Sequence, residues 1–114
     1  MGKHYLDPLF APDSVAVFGA SEKPGSVGGK VFQNLRDAGF GGRLYPVNPK
    51  HETVFGEACF PDLEAIGRPV DMVVVATPAP TVPGIIRSAG ETGAEVAVVM
   101  TAGFGEAGSQ GRRL

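Results

Sequence analysis

Hydrophobic positions along the chain fall into short continuous runs, separated by stretches in which they recur at helical spacing. A short continuous apolar run is typical of a strand that is buried on both faces of a parallel sheet. The second run contains Pro46 and is followed by Pro49, and we expect these prolines to end its strand. The pattern predicts four strands, at residues 15–18, 43–47, 72–76 and 96–100, the last two of them buried.

Helical spacing connects the predicted strands. Residues 27–38 carry apolar side chains on one helical face, and Gly39 can end this helix. After the third strand, "APTVPGIIRSAGETG" predicts a second helix that Thr81 can cap and that Gly93 can end.

The segment between the second and third strands is less regular. It predicts a short edge strand near residues 58–60 and one or two helical turns at residues 61–66. Because strands and helices alternate elsewhere, we predict one α/β domain, a doubly wound parallel sheet with the first strand in its centre. The last residues, "TAGFGEAGSQGRRL", break off where another helix would begin, so we expect residues 1–114 to be a domain of a longer protein, truncated at its C-terminal end.

Composition narrows the possible functions. The formal charge of −2 disfavours nucleic acid and anionic membranes as partners, since both require a basic surface. No apolar run reaches the roughly 18 residues of a membrane span, and the first residues lack a signal-peptide core, so we expect a cytoplasmic protein. The single cysteine, Cys59, cannot form an internal disulfide and is interpreted as a small buried hydrophobic residue, not a nucleophile.

Ligands of doubly wound sheets bind beyond the carboxyl ends of the strands, where this chain has four loops. The first, "GASEKPGSVGG", is dense in glycine and serine and leads into a helix, whose N-terminus offers free N–H groups and a partial positive charge. Its glycines let the backbone approach a ligand closely, although they also suit a tight strand-to-helix turn without a ligand. The functional interpretation of this loop is an anion site.

This loop departs from the dinucleotide fingerprint G-x-G-x-x-G, because Ser21 stands at the second glycine and "EKPG" lengthens the loop. The second strand is followed by "NPK", whereas an NAD site requires Asp or Glu there. Lys50, with Lys23 and Arg43 nearby, instead suits an additional phosphate on the ribose, as in NADP or coenzyme A. Each of these cations, taken alone, is also compatible with a solvated surface residue.

The other two loops are "ATPAPT" and "TAGFGE". The first can form a flat apolar wall against an adenine, or it can serve only as a turn before the helix. Backbone groups of the second can line a narrow channel for a pantetheine chain. Both loops therefore extend the candidate site beyond the phosphates.

Catalytic residues are not evident. His4 and His51 lack any Cys, His or carboxylate at metal-ligand spacing, and we interpret His51 as an exposed loop residue. No serine has the nucleophile-elbow pattern, and we interpret Glu22 and Glu106 as solvated loop residues. The sequence therefore predicts neither a catalytic residue nor a metal site.

A family resemblance rests on three segments taken together: "LFAPDSVAVFGASEKPGSVGGKVFQNL", "LYPVNPKHETVFGEACFPDL" and "VDMVVVATPAPTVPGIIRSAGETGAEVAVVMTAGFGE". In order and spacing they resemble the N-terminal CoA-binding domain of the NDP-forming acyl-CoA synthetases, relatives of the succinyl-CoA synthetase alpha subunit. The resemblance covers about residues 9–108 and implies a Rossmann-like, three-layer domain that binds coenzyme A or an acyl-CoA. With the loop arguments, it points to these cofactor-binding residues: Gly19, Ala20, Ser21, Lys23, Pro24, Gly25, Ser26, Val27, Gly28, Asn48, Pro49, Lys50, Thr77, Pro78, Thr101, Ala102 and Gly103.

The resemblance also implies a reaction, in which acyl-CoA, NDP and phosphate give the free acid, CoA and NTP through a phosphohistidine. In that family the histidine lies in a later domain, and neither His4 nor His51 matches its surroundings. The chain then resembles a binding module that works with further domains, or with a beta-type subunit that carries the nucleotide site. Three alternatives stay open: the regulatory domain of a protein-lysine acetyltransferase, a stand-alone CoA sensor, and the NADP-binding domain of an oxidoreductase.

Overall fold

A computed structural model of the chain describes residues 13–100. Its main element is a four-stranded sheet whose strands match the predicted runs to within one residue at each end. These strands are β1 (Ser14–Phe18), β2 (Arg43–Val47), β5 (Met72–Val75) and β6 (Val96–Val99), and a separate hairpin consists of β3 (Thr53–Val54) and β4 (Glu57–Ala58).

All four strands of the main sheet run parallel, in the order β2-β1-β5-β6. Val17 of β1 is level with Pro46 on one side and with Val74 on the other, so the first strand lies inside the sheet. The predicted parallel α/β fold and the inner position of the first strand are confirmed. Because the strands are parallel, the loops that follow them meet at one edge of the sheet.

Helices cover both faces of this sheet. The first, α1 (Val27–Asp37), follows β1, and the short α2 (Leu63–Ile66) precedes β5. The last, α3 (Val82–Glu91), is entered through a 3₁₀ turn at Ala79–Thr81. Within residues 13–100, no helix combines the length and apolar character needed to cross a membrane.

The hydrophobic core is divided between the two faces of the sheet. Side chains alternate along β1, so Val15 and Val17 pack with Phe32 of α1 on one face. Ala16 and Phe18 pack on the other face, against α2 and α3. The result is a three-layer domain in which β1 is buried from both sides.

Pro46 does not end β2, contrary to the prediction, but lies buried within it. Its carbonyl oxygen accepts a hydrogen bond from the Phe60 N–H at 3.0 Å, and Phe60 forms a parallel bridge with Val47. Because the N–H and C=O of one strand residue point to the same side, the N–H that proline lacks would face Phe60 and not β1. The predicted edge strand near residues 58–60 corresponds to this bridge and to the end of the hairpin.

Two other expectations are wrong. β6 is not buried, since Val98 and Val99 are 36% and 44% exposed. This strand lies at an edge of the sheet that residues 13–100 form. Thr81 does not cap α3 with its side chain, because its backbone is already helical and its hydroxyl lies 2.6 Å from both the Thr77 hydroxyl and the Pro78 carbonyl oxygen.

Candidate functional site

A cleft of about 900 Å³ opens at the carboxyl edge of the sheet. Its walls come from the loops that follow β1, β2 and β5, from the start of α2 and from α3. Ligand-binding clefts commonly have volumes of about 300–1,000 Å³. The cleft therefore lies where doubly wound sheets bind ligands, and it has room for a nucleotide cofactor.

The loop after β1, residues 19–26, is shaped by its own serines. The buried Ser21 hydroxyl accepts a hydrogen bond from the Lys23 N–H at 3.0 Å, and the Ser26 N–H donates to the Lys23 carbonyl oxygen at 3.1 Å. The Ser26 hydroxyl then accepts from the Gly29 N–H at 2.9 Å and caps α1. Gly25, at φ +86°, has open space beside its Cα, so the loop presents bare backbone in the cleft.

Gly28 allows α1 to pack closely against this loop. A Cβ at Gly28 would lie 2.5 Å from the Gly19 carbonyl oxygen and 2.9 Å from the Ala20 nitrogen. These separations are far shorter than van der Waals contact, so any side chain would push the helix away from the loop. Gly28 and Ala20 do not line the cleft, and Gly28 shapes the loop from behind.

Asn48, the first residue after β2, joins the loops that follow β1 and β2. Its Nδ2 donates to the Ala20 carbonyl oxygen at 3.0 Å, and its Oδ1 accepts from the Lys50 N–H at 2.9 Å. Its backbone N–H donates to the Phe60 carbonyl oxygen at 2.8 Å, and its own carbonyl accepts from the His51 N–H at 3.3 Å. Because the oxygen and the nitrogen of the Asn48 side-chain amide both form hydrogen bonds within the protein, we interpret Asn48 as a residue that positions its neighbours.

Positive charge enters the cleft from two loops. Lys23 follows β1 and Lys50 follows β2, both are exposed, and His51 lines the cleft beside Lys50. Asp62 is the only carboxylate among the lining residues of the described part, and its Oδ1 accepts from the Ala65 N–H at 2.9 Å as the cap of α2. An anion in the cleft would therefore meet cations on the side of β1 and β2.

Apart from Asp62, the lining residues on the side of β5 and α3 are uncharged. The loop after β5 contributes Thr77 and Pro78, and one face of α3 contributes Gly84, Ile85 and Ser88. Pro61 and Leu63, at the start of α2, also line the cleft, and Leu63 belongs to the same hydrophobic cluster as Ile85. The cleft therefore combines a cationic side with a largely apolar one.

Most predicted site residues of the described part line this cleft: Gly19, Ser21, Lys23, Pro24, Gly25, Ser26, Asn48, Pro49, Lys50, Thr77 and Pro78. Three predicted residues do not line the cleft: Ala20, Val27 and Gly28. Thr101, Ala102, Gly103 and Glu106 lie outside the described residues.

The sequence interpretation missed the lining residues of α2 and α3. Gly84, Ile85 and Ser88 follow one another at helical spacing, and a helix that starts at the ligand edge presents its first turns to the cleft. That spacing was available in the sequence. Pro61 and Leu63 gave no such signal, because the irregular segment before α2 does not reveal its path.

One prediction about charged residues is wrong, and a second is incomplete. Arg43 is the first residue of β2, so it lies at the amino edge of the sheet, away from Lys50. Glu22 is not merely solvated, because its Oε2 accepts a hydrogen bond from the Phe55 N–H at 2.6 Å. Phe55 is further held by Arg36, whose guanidinium donates to the Phe55 carbonyl oxygen at 2.8 Å and lies over the Phe55 ring. Glu22 therefore fastens the loop after β1 to the turn of the β3–β4 hairpin.

Cys59 lies close to Asn48 and is only partly buried, less than predicted. Burial raises the pKa of its thiol above the ordinary value, and the backbone hydrogen bonds with Asn48 and Phe60 oppose this shift without cancelling it. The thiol therefore stays protonated near neutral pH, as expected of a packing residue and not of a nucleophile.

The model of the CoA binding domain family matches residues 13–110 of the chain. The match includes every cleft-lining residue described above. The chain belongs to the CoA binding domain family, and coenzyme A is the cofactor that this membership supports.

Similar proteins of known reaction agree with this family. The ADP-forming acetate–CoA ligase I of Archaeoglobus fulgidus is 41% identical over 109 residues, which cover 96% of this chain and 16% of that protein. The alpha subunit of the ADP-forming acetate–CoA ligase I of Pyrococcus furiosus is 37% identical over 113 residues, which cover 96% of this chain and 24% of the subunit.

A solved structure extends the comparison. The dinucleotide forming acetyl-coenzyme A synthetase 1 of Ca. Korarchaeum cryptofilum, in complex with phosphate and ADP, superposes with a TM-score of 0.81 at 38% identity. The matched region covers 93% of this chain and 23% of that one. The chain thus spans no more than about a quarter of each of these relatives and is homologous to one part of them.

Proposed function

We propose that the chain binds coenzyme A in the cleft at the carboxyl edge of the sheet, as the CoA-binding domain of an NDP-forming acyl-CoA synthetase. The observation that carries this proposal is the convergence of the loops after β1, β2 and β5 on one cleft, in a chain of the CoA binding domain family. The cleft offers cations and bare backbone on one side and apolar groups on the other. Coenzyme A carries phosphates on its nucleotide and an uncharged adenine and pantetheine arm, so the chemistry of the two sides fits.

The phosphates would bind at the loop after β1. Gly19, Ser21, Pro24, Gly25 and Ser26 offer backbone and hydroxyl groups there, close to the N-terminus of α1. Three further predicted residues would shape the loop and the start of the helix without lining the cleft: Ala20, Val27 and Gly28. Lys23 adds a mobile charge for the same phosphates.

The ribose end would bind at the loop after β2. Lys50 suits the additional phosphate that coenzyme A carries on its ribose, and Asn48 fixes the Lys50 backbone through its Oδ1. Pro49 and the loop residues Thr77 and Pro78 supply uncharged wall. The turn at Thr101, Ala102 and Gly103 stays a predicted contact of the cofactor. Coenzyme A would supply the thiol that carries the acyl group, and the described residues would bind and orient it.

The wider role is proposed from the relatives, which are several times longer than this chain. We propose that the chain acts with further domains, or with a beta-type subunit that carries the nucleotide site, to interconvert acyl-CoA, NDP and phosphate with acid, CoA and NTP. A cytoplasmic location, and the lack of nucleic-acid and membrane partners, stay predictions of the sequence. The chain itself would contribute binding and no catalytic residue.

Calorimetric titration with CoA, dephospho-CoA, NADP and NAD tests the cofactor. We expect CoA to bind most tightly, and dephospho-CoA to bind more weakly because it lacks the ribose phosphate. Tighter binding of NAD than of CoA would overturn the proposal. Tighter binding of NADP would favour the oxidoreductase alternative, which Lys50 alone also supports.

An assay of the protein that contains this domain tests the reaction. We expect formation of NTP from acyl-CoA, NDP and phosphate. Acyl transfer to protein lysines without NTP formation would replace the synthetase with the acetyltransferase alternative. CoA binding with neither activity would indicate a sensor.

A further inference from the structure

Gly84 lies within the continuous helical segment formed by the 3₁₀ turn and α3, and it lines the cleft. Glycine inside a helix is unfavourable relative to alanine, because it loses more backbone entropy on folding. The fold does not require it at this position: Gly84 does not have a positive φ, and a Cβ added there would meet no atom within 4 Å. The helix would accept alanine at this position without a clash.

Other glycines of the chain have structural reasons that Gly84 lacks. Gly19 and Gly28 are packed against backbone, and Gly93 has a φ of +94° after the end of α3. Gly90 lies in the same helix as Gly84, and a Cβ there would also meet open space. Gly90, however, does not line the cleft.

A residue that breaks a local rule of helix formation without a packing reason is typical of a functional position. Gly84 lies in the wall formed by α3, whereas Lys23 and Lys50 belong to the loops after β1 and β2. Its neighbours in the wall, Ile85 and Ser88, are also uncharged. The wall at Gly84 carries no charged side chain and so suits an uncharged ligand group, and a side chain at Gly84 would occupy part of the space of that group.

We infer that Gly84 determines the width of the cleft at the wall formed by α3 and leaves room there for the adenine or the pantetheine arm of coenzyme A. This inference rests on the proposed function, because it takes coenzyme A as the ligand of the cleft. It assigns a specificity-determining role to a helical residue that the loop arguments do not include.

Four variants of the chain test this inference: Gly84→Ala, Gly84→Leu, Gly90→Ala and Gly90→Leu. Circular dichroism and thermal unfolding establish that each is folded, and we expect a Tm equal to or above that of the parent for both alanine variants. For CoA, we expect Gly84→Leu to raise Kd by about tenfold or more and Gly84→Ala to raise it less. The Gly90 variants, which add the same groups to the same helix, are expected to leave Kd unchanged.

A second ligand, 3′,5′-ADP, identifies the group that lies beside Gly84, because it contains the adenine and lacks the pantetheine arm. Weaker binding of both ligands to Gly84→Leu places the adenine there, and weaker binding of CoA alone places the arm there. An unchanged or lower Kd for CoA in Gly84→Leu, with the parent binding CoA normally, overturns the inference alone. Failure of the parent chain to bind CoA would instead contradict the proposed function.

Discussion

The side-chain amide of Asn48 donates a hydrogen bond to the carbonyl oxygen of Ala20 at 3.0 Å and so joins two loops that are far apart in sequence. At its other end the same amide accepts from the Lys50 N–H at 2.9 Å. The two ends of one side chain therefore set the position of the glycine- and serine-rich loop relative to the lysine across the cleft. Through these two hydrogen bonds we expect Asn48, which carries no charge, to affect the binding of an anion in the cleft.

Asn48→Asp removes the hydrogen bond to Ala20 and keeps the one from Lys50. The aspartate keeps an acceptor for the Lys50 N–H but places an oxygen against the Ala20 carbonyl, so we expect a loss of about 1–3 kcal/mol in the free energy of unfolding and weaker CoA binding. Urea denaturation and calorimetry measure both. Asn34→Asp, which makes the same change of charge at an exposed position of α1, serves as the control. Wild-type stability in Asn48→Asp would show that the bond to Ala20 does not hold the loops together.

Lys50→Ala tests the charge at the loop after β2. We expect CoA binding to weaken by about 1–3 kcal/mol if Lys50 makes a charge-assisted contact with phosphate, and folding to be unchanged because Lys50 is exposed. The effect should be smaller with dephospho-CoA, which lacks the ribose phosphate. Lys30→Ala removes an exposed lysine of α1 that does not line the cleft, and it is expected to bind CoA as the parent does. Equal losses of CoA affinity in the two lysine variants would show that Lys50 is an ordinary surface residue and does not contact the phosphate.

Gly28→Ala tests the close approach of α1 to the loop after β1. The added Cβ would lie 2.5 Å from the Gly19 carbonyl oxygen, so the helix must shift, and we expect a cost of about 1–3 kcal/mol in stability together with weaker CoA binding. Thermal and urea unfolding measure the cost. Gly90→Ala adds the same group where a Cβ meets open space, and it is expected to be as stable as the parent or more so. A Gly28→Ala variant of normal stability would mean that the helix adjusts without strain.

The parts of the fold that depend on local patterns could be predicted from the sequence. The apolar runs at β5 and β6 predicted strands, because short runs that are rich in valine and bounded by turn residues are typical of a parallel sheet. Most of the cleft followed from the same pattern, since parallel strands bring their carboxyl ends to one edge. The error at Arg43 could have been avoided, because the first residue of a parallel strand must lie at the opposite edge.

The parts that depend on pairing between distant segments could not be predicted. The exposure of Val98 follows from the position of β6 at the edge of the sheet formed by residues 13–100, which the apolar run does not encode. Pro46 was expected to end β2 because the hydrogen bond that its carbonyl oxygen accepts from the Phe60 N–H cannot be read from a local pattern. The contact of Glu22 with the hairpin likewise joins segments that no spacing rule connects.

Glu22→Ala and Glu22→Gln test whether the hairpin supports the loop after β1. Phe55 has a φ of +51°, an unfavourable backbone conformation for a bulky residue, and its N–H donates to the Glu22 carboxylate. Without this acceptor we expect the turn to open more often, with about tenfold faster hydrogen exchange at the Phe55 amide and a stability loss of about 0.5–1.5 kcal/mol. Glutamine keeps an acceptor oxygen of nearly the same reach, so Glu22→Gln should restore most of the protection.

The comparison between these two variants also distinguishes two effects of Glu22: support of the loop through the hairpin, and repulsion between its negative charge and the phosphates. If Glu22 acts through the hairpin, CoA affinity should fall in Glu22→Ala and recover in Glu22→Gln. If its negative charge instead opposes the phosphates, both variants should bind CoA more tightly than the parent, because both remove the charge. Unchanged exchange at the Phe55 amide in Glu22→Ala would contradict a supporting role. Recovery of both exchange protection and CoA affinity in Glu22→Gln would establish Glu22 as a residue that positions the loop after β1.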